Sequence, residues 1–296
     1  MPILLDAAPL PVRFFLLRDI VDGSEGQDLA ALQKNLRKHQ PRRRILGAQD
    51  AKGLWPLDKQ ALALPPEKQA TLQLLTQMEQ LHELRDLATT GKQEKALLGM
   101  REVIRILAEQ EIQLRLHHQT QAIDLSIHYD LEGNPIIKDL IREILSRQNK
   151  DGGWSSLASE KESCLWTTLY LLNTLADSSF FKTNKALRKG LEYVLEHLLR
   201  PDVSTLLPGM QAWDTLTRGG SGLSLITGGS LRVLELHWKL EPGQRNARTN
   251  KLVDWLLDVQ LKNALWPGIV GRDTHGDHMV TFQVLRTLKH YLSLRV

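Results

Sequence analysis

Apolar residues recur along the chain at intervals of three and four, while period-two alternation is scarce, so the pattern predicts helices almost throughout. Two kinds of helix are expected. The stretch 184–199, "NKALRKGLEYVLEHLL", sets Leu187, Leu191, Val194, Leu195 and Leu198 on one stripe, with Lys185, Arg188, Lys189, Glu192 and Glu196 elsewhere. Such a helix keeps one face in water. The stretch 163–176, "SCLWTTLYLLNTLA", carries no charge and is apolar or hydroxyl-bearing all round, which predicts an enclosed helix. Other charge-free segments begin near Gln69, Gln119, Ser221 and Asp277; with Ser163 the intervals are 50, 44, 58 and 56 residues. "LPVRFFLL" lies about one period before Gln69 and is a sixth candidate, although it contains Arg13. Amphipathic stretches 95–110, 134–148, 184–199 and 248–260 lie between the charge-free ones. The alternation predicts helical hairpins with one helix inside and one outside, stacked as repeats.

A short motif repeats on top of this pattern. "ILGAQDAKGLWP", "ILSRQNKDGGWSS" and "LLDVQLKNALWP" each place a Gln six residues before a Trp, as Gln49 and Trp55, Gln148 and Trp154, and Gln260 and Trp266. Each copy follows an apolar helical end and crosses a polar turn. The copies are 99 and 112 residues apart, which leaves room for an unmarked unit in each gap.

Composition narrows the setting. A chain of 296 residues at 42% hydrophobic can bury a large core. One cysteine excludes an internal disulfide and makes a reducing compartment the default. "MPILLDAAPLPVRFF" lacks the basic start of a secretory signal, and no uncharged apolar run reaches the roughly 18–20 residues of a membrane span. These features predict a cytoplasmic protein without a transmembrane segment. A net charge of +4 is mild and does not point to nucleic acid. The densest basic run, "RKHQPRRR" at 37–44, has no interleaved aromatics and reads as a solvated junction before an outer helix.

The three Gln–Trp copies, the Asp-Gly-Gly turn and the uncharged helix "CLWTTLYLLNTL" resemble the repeats of the terpenoid cyclase and protein prenyltransferase α/α toroids. The start "PVRFFLLRDI" is similar to that of a bacterial branch of prenyltransferase and squalene-cyclase repeat proteins. The resemblance implies an all-α toroid of about six hairpins, with inner and outer helix rings, as a single domain over 1–296. In such repeats the Gln bridges backbone groups of neighbouring units and the Trp packs on the next helix end. The resemblance also implies an apolar central cavity that binds or transforms an isoprenoid or another lipophilic small molecule. The alternative is a non-catalytic helical-repeat binding or scaffold protein. The acidic Asp-X-Asp-Asp string of class II cyclases is absent, as is Asp-Asp-X-X-Asp, so standard class II cyclisation is not expected.

Several side chains are candidates for chemistry. In the prenyltransferases a carboxylate, a Cys two residues later and a His on a later inner helix hold zinc. Here Glu162, Cys164 and His278 match that arrangement, with Glu in place of Asp. Thiolate, carboxylate and imidazole form a reasonable Zn²⁺ set with an open fourth position. Alternatively, Cys164 is a small buried residue at a helix start that Glu162 favours electrostatically. "GRDTHGDH" offers a local second set, Asp273, His275 and Asp277 with His278, or else a loop in which Asp277 caps the next helix. His117 and His118 precede the second inner helix at a similar level and are candidates for substrate binding, as is Trp166. Asp124, with His128 one turn later, is a candidate general acid if its carboxyl faces an apolar cavity. Otherwise Asp124 faces a loop or pairs with an Arg such as Arg115. The inner helices are read as nearly free of charge.

Overall fold

The structure is a computed structural model that describes residues 2–21, 27–109, 112–157, 159–199, 213, 215–216, 229–244 and 246–292. Fourteen helices and two isolated β-bridges make up the regular structure of these residues, which contain no strand. No helix among them is long and apolar enough to cross a membrane. The chain divides into two compact units, residues 30–147 and residues 1–29 with 148–296.

Within the 30–147 unit, the expected enclosed segments are α6 (Pro66–Asp86) and α8 (Leu116–His128), and the amphipathic ones are α7 (Glu94–Glu109) and α9 (Pro135–Ser146). α6 packs against α7 and α8, and α8 against α9, with the short α4 (Gln40–Gly47) and α5 (Lys59–Leu62) against α6. The basic run 37–44 closes α3 (Gln27–Lys38) and opens α4, a largely exposed junction as expected. Arg42 is buried, and its Nη2 donates to Gln93 Oε1 at 3.0 Å, so one of its charges serves packing.

In the other unit, α10 (Leu165–Ala176) and α14 (His278–Leu292) are enclosed, while α11 (Lys185–Glu196) and α13 (Ala247–Asp258) are amphipathic. Eleven of the twelve α10 residues are buried, whereas α11 buries the stripe Leu187, Gly190, Leu191, Tyr193 and Val194. α10 packs on α11 and on α12 (Gly229–Leu240); α12 packs on α13 and α14, and α14 on α2 (Leu10–Asp19). The segment expected to begin near Ser221 lies largely outside the described residues, and the described part begins at Gly229. In α8 and α14 hydroxyls are satisfied one turn back, as Thr120 to Leu116 O at 2.8 Å and Thr287 to Gln283 O at 3.0 Å, whereas Thr168 on α10 reaches Trp154 O at 3.4 Å.

The Gln–Trp copies act as fasteners. Gln49 Nε2 donates to Gly53 O at 2.7 Å in its own turn and to Lys95 O at 3.0 Å on α7. Gln148 Nε2 repeats this with Gly152 O and with Ala186 O on α11, both at 2.8 Å. Four residues beyond each acceptor a glycine, Gly99 or Gly190, makes room for the ring of Trp55 or Trp154. Gln260 makes the turn bond to Ala264 O at 3.0 Å but bridges to no further helix among the described residues. The turn position differs as well. Gly53 and Gly152 both sit at φ +97°, where an added Cβ would lie 2.8 Å from Leu98 C or 2.6 Å from Lys189 O. The third copy carries Ala264 there, at φ 63°. We expect Gly152→Ala to destabilise the fold by at least about 1–2 kcal/mol, from left-handed strain plus backbone collision. Ala264→Gly should change stability by well under that; urea midpoints of the two variants check the contrast.

Candidate functional site

α10, α12 and α14 carry polar residues into the most enclosed part of their unit. Arg232 and Glu235 are one turn apart on α12 and pair directly through Nη1 and Oε2. α14 answers each of them: Gln283 Oε1 accepts from Arg232 Nη2 at 2.8 Å, and Arg286 Nη2 donates to Glu235 Oε1 at 3.0 Å. α10 adds Asn173, whose Nδ2 donates to Leu169 O at 3.0 Å and to Arg232 O at 3.1 Å. Both acceptors are carbonyls, which fixes the amide orientation and leaves Oδ1 as the free end. Glu235 is fully buried, and Arg232, Gln283 and Asn173 are at least nine-tenths buried. The inner helices are therefore not free of charge, contrary to the pattern-based expectation. A charged pair is tolerated inside because each partner is met from a neighbouring helix.

Two groups of this cluster keep unused capacity. Asn173 Oδ1 and Arg286 Nε are sealed from solvent and have no hydrogen-bond partner. Buried polar atoms are paired in the great majority of cases, so an unused acceptor and an unused donor in one network are unusual. The Arg286 guanidinium also lies 5.5 Å from the centre of the Phe282 ring.

Further along the same seam, Trp238 and His290 stack with ring centres 3.8 Å apart. Burial lowers the His290 pKa, and Arg286 and Lys289 lower it further. His237 is buried, and its Nδ1 is 2.9 Å from the Tyr291 hydroxyl, which in turn donates to Leu234 O at 3.0 Å. The hydroxyl proton is thus committed, so Nδ1 carries the imidazole proton. Burial lowers the His237 pKa, while Glu241 acts in the opposite direction.

The sequence-predicted metal sets are not assembled. Among the described residues no three His, Cys, Asp or Glu side chains converge as a metal could require. Glu162 is exposed, Cys164 precedes α10, and its Sγ accepts from Thr167 Oγ1 at 3.3 Å. In the local set, Asp277 Oδ1 accepts from Val280 N at 2.9 Å, which caps α14 and leaves His278 as its first residue. Asp273 Oδ2 accepts from Ile269 N at 2.7 Å, and His275 Nδ1 lies 3.0 Å from Thr274 Oγ1. Backbone amides at turns and helix starts have claimed these carboxylates.

Asp124 does not stand in an apolar pocket. Its Oδ2 meets Arg85 Nη1 at 2.5 Å, so its arginine partner comes from α6 and is not Arg115. His128 Nε2 lies 2.8 Å from Thr89 O, and its ring packs edge-on against Tyr129. Trp166 is buried against Trp213, with ring centres 5.0 Å apart.

His117 and His118 open α8 as an imidazole pair, with ring centres 4.0 Å apart. Burial lowers the His117 pKa from 6.5 to about 4, with smaller contributions from His118 and Arg115 in the same direction. Between these two pH values the unfolded chain binds a proton that the folded chain refuses. Stability therefore falls as pH drops through that window. We expect His117→Gln to show a smaller loss of urea midpoint between pH 7 and pH 5 than the parent.

No protein-family model matches the chain, and no curated protein matches it significantly. A solved polysaccharide lyase is similar over 96% of this chain and 90% of its own, with TM-score 0.51 and 12% identity. A variant of a type II terpene cyclase from Scytonema, in complex with its product merosterolic acid A, matches over 89% of this chain and 99% of its own, with TM-score 0.31 and 10% identity. At these identities the likeness is one of fold: the chain is an all-α protein of the α/α-toroid class.

Proposed function

We propose that the chain is a binding protein for a hydroxylated, anionic ligand of the acidic-oligosaccharide class, held on the α10–α12–α14 face. The observation that carries this reading is the pair of unused groups in one buried network, Asn173 Oδ1 and Arg286 Nε. A sugar hydroxyl donates to the first; an acid oxygen accepts from the second. Arginine suits a carboxylate because its planar fork matches two oxygens. The fold likeness to a polysaccharide lyase supports a carbohydrate, and a lipid chain would leave both polar atoms unsatisfied, at roughly 1–3 kcal/mol each.

The lipophilic reading implied by the repeat resemblance keeps one supporting observation, the buried Trp166–Trp213 contact. Titration calorimetry with uronic-acid oligosaccharides, their neutral counterparts and farnesyl diphosphate separates the two. We expect saturable binding of the acidic oligosaccharides, weakened at least tenfold by Arg286→Met and by Asn173→Leu, and little of the neutral ones. Binding of farnesyl diphosphate alone, indifferent to Asn173, would overturn the carbohydrate reading in favour of the isoprenoid one. Binding by no member of the panel would sink both.

A further inference from the structure

We propose that the N-terminus of α8, in the 30–147 unit, binds a phosphate group through its first-turn amides, Arg115 and the imidazoles of His117 and His118. α8 is thirteen residues long, and no side chain caps its start: Arg115 stands at the cap position and makes no capping hydrogen bond. His118 N already donates to Arg115 O at 3.0 Å, so the amides that can take an outside acceptor are those of Leu116 and His117, and the helix dipole favours an anion there.

The second observation is the side chain of His117. It is 7% exposed, its Nδ1 is sealed from solvent, and that atom has no hydrogen-bond partner. The charges that act on it are of one sign, although Arg147 nearby is itself paired with Glu143 at 3.8 Å. Beyond burial, the influences on His117 come from His118 and Arg115, and Arg115 acts on His118 as well. A second guanidinium stands one turn along, where Arg147 Nη2 donates to Gln119 Oε1 at 2.8 Å.

Two imidazoles and an exposed arginine at an uncapped helix start give a set of donors with no matching acceptor. A phosphate supplies that acceptor several times over, since it offers oxygens to the amides, to the guanidinium and to an imidazole N–H at once. With the anion in place, protonated His117 gains a partner for Nδ1, so binding and proton uptake reinforce each other.

Imidazole NMR signals of the full chain, followed while inorganic phosphate is titrated at constant ionic strength with chloride, test the site. We expect saturable shifts at both His117 and His118, with the His117 pKa climbing from about 4 by at least one unit at saturation. Arg115→Ala should weaken phosphate binding at least tenfold and Arg115→Lys much less. Arg115 is exposed, so both variants should melt with the parent. An unchanged His117 titration, an equal response to chloride, or full binding by Arg115→Ala would overturn the site. Acetate binding as tightly as phosphate would overturn its assignment to phosphate. None of these outcomes bears on the oligosaccharide reading, which rests on Asn173 and Arg286.

Discussion

Glu235→Leu is expected to lower stability by about 3–5 kcal/mol, because breaking a buried ion pair by removing one partner has that scale. The carboxylate is fully buried and stands between two guanidiniums, those of Arg232 and Arg286. Leucine fills the volume and removes the charge both arginines face. The melting temperature should fall on the order of ten degrees. Glu235→Gln keeps the shape and an acceptor oxygen, so its loss should be smaller. The decisive comparison is the triple replacement Arg232→Met, Glu235→Leu and Arg286→Met. A well-packed apolar substitute for a buried ionic cluster is often neutral or stabilising. The triple variant should therefore recover most of what the single variant loses, a coupling that pairwise additivity forbids. It should nevertheless bind no acidic oligosaccharide. A single variant that melts with the parent would show that the cluster contributes nothing to folding. A triple variant as unstable as the single one would show that polar identity, and not charge balance, holds these helices.

The helices were legible because their pattern is physical: α11 needs one dry stripe and α10 must be dry all round, and composition reports both. The fasteners were legible because Gln49 and Gln148 make the same two bonds at the same spacing. The charged cluster was missed because the search for enclosed helices looked for windows without charge. "SLRVLELHW" failed that test, although Arg232 and Glu235 are spaced one turn apart in otherwise apolar sequence, and the charge-free window that begins near Asp277 ended before Arg286. That spacing is the signal: a lone charge in an enclosed helix is costly, whereas a complementary pair can be buried. The metal sets misled for the opposite reason. Asp277 and Asp273 stand near histidines in sequence, but a carboxylate before a helix is first of all a cap, and both are spent on backbone amides. Asp124 was open between a cavity and an arginine, and the partner proved to be 39 residues away, beyond the reach of local spacing.

The fasteners carry the second large effect. Trp154→Ala should cost about 3–5 kcal/mol, as large-to-small changes at buried aromatics do. Its side chain is 1% exposed and meets α11 where Gly190 leaves room, since an added Cβ there would come within 3.0 Å of the ring. Gln148→Ala removes two bonds to carbonyls and should cost about 1–3 kcal/mol, while Gln260→Ala, exposed and bonded once, should stay near or below 1 kcal/mol. Denaturant midpoints give the ranking directly. In a cycle with Gly190→Ala we expect only partial relief when Trp154 is already alanine, because the new methyl meets the Leu172 methyls at 2.8 and 2.9 Å as well as the ring at 3.0 Å. Equal costs for Gln148→Ala and Gln260→Ala would mean that the bridge to Ala186 contributes nothing. The turn bond would then be the whole reason for glutamine at each copy. A larger cost at Gln148 assigns the difference to the bond that ties one repeat to the first turn of the next outer helix, the step from a local turn to a stacked array.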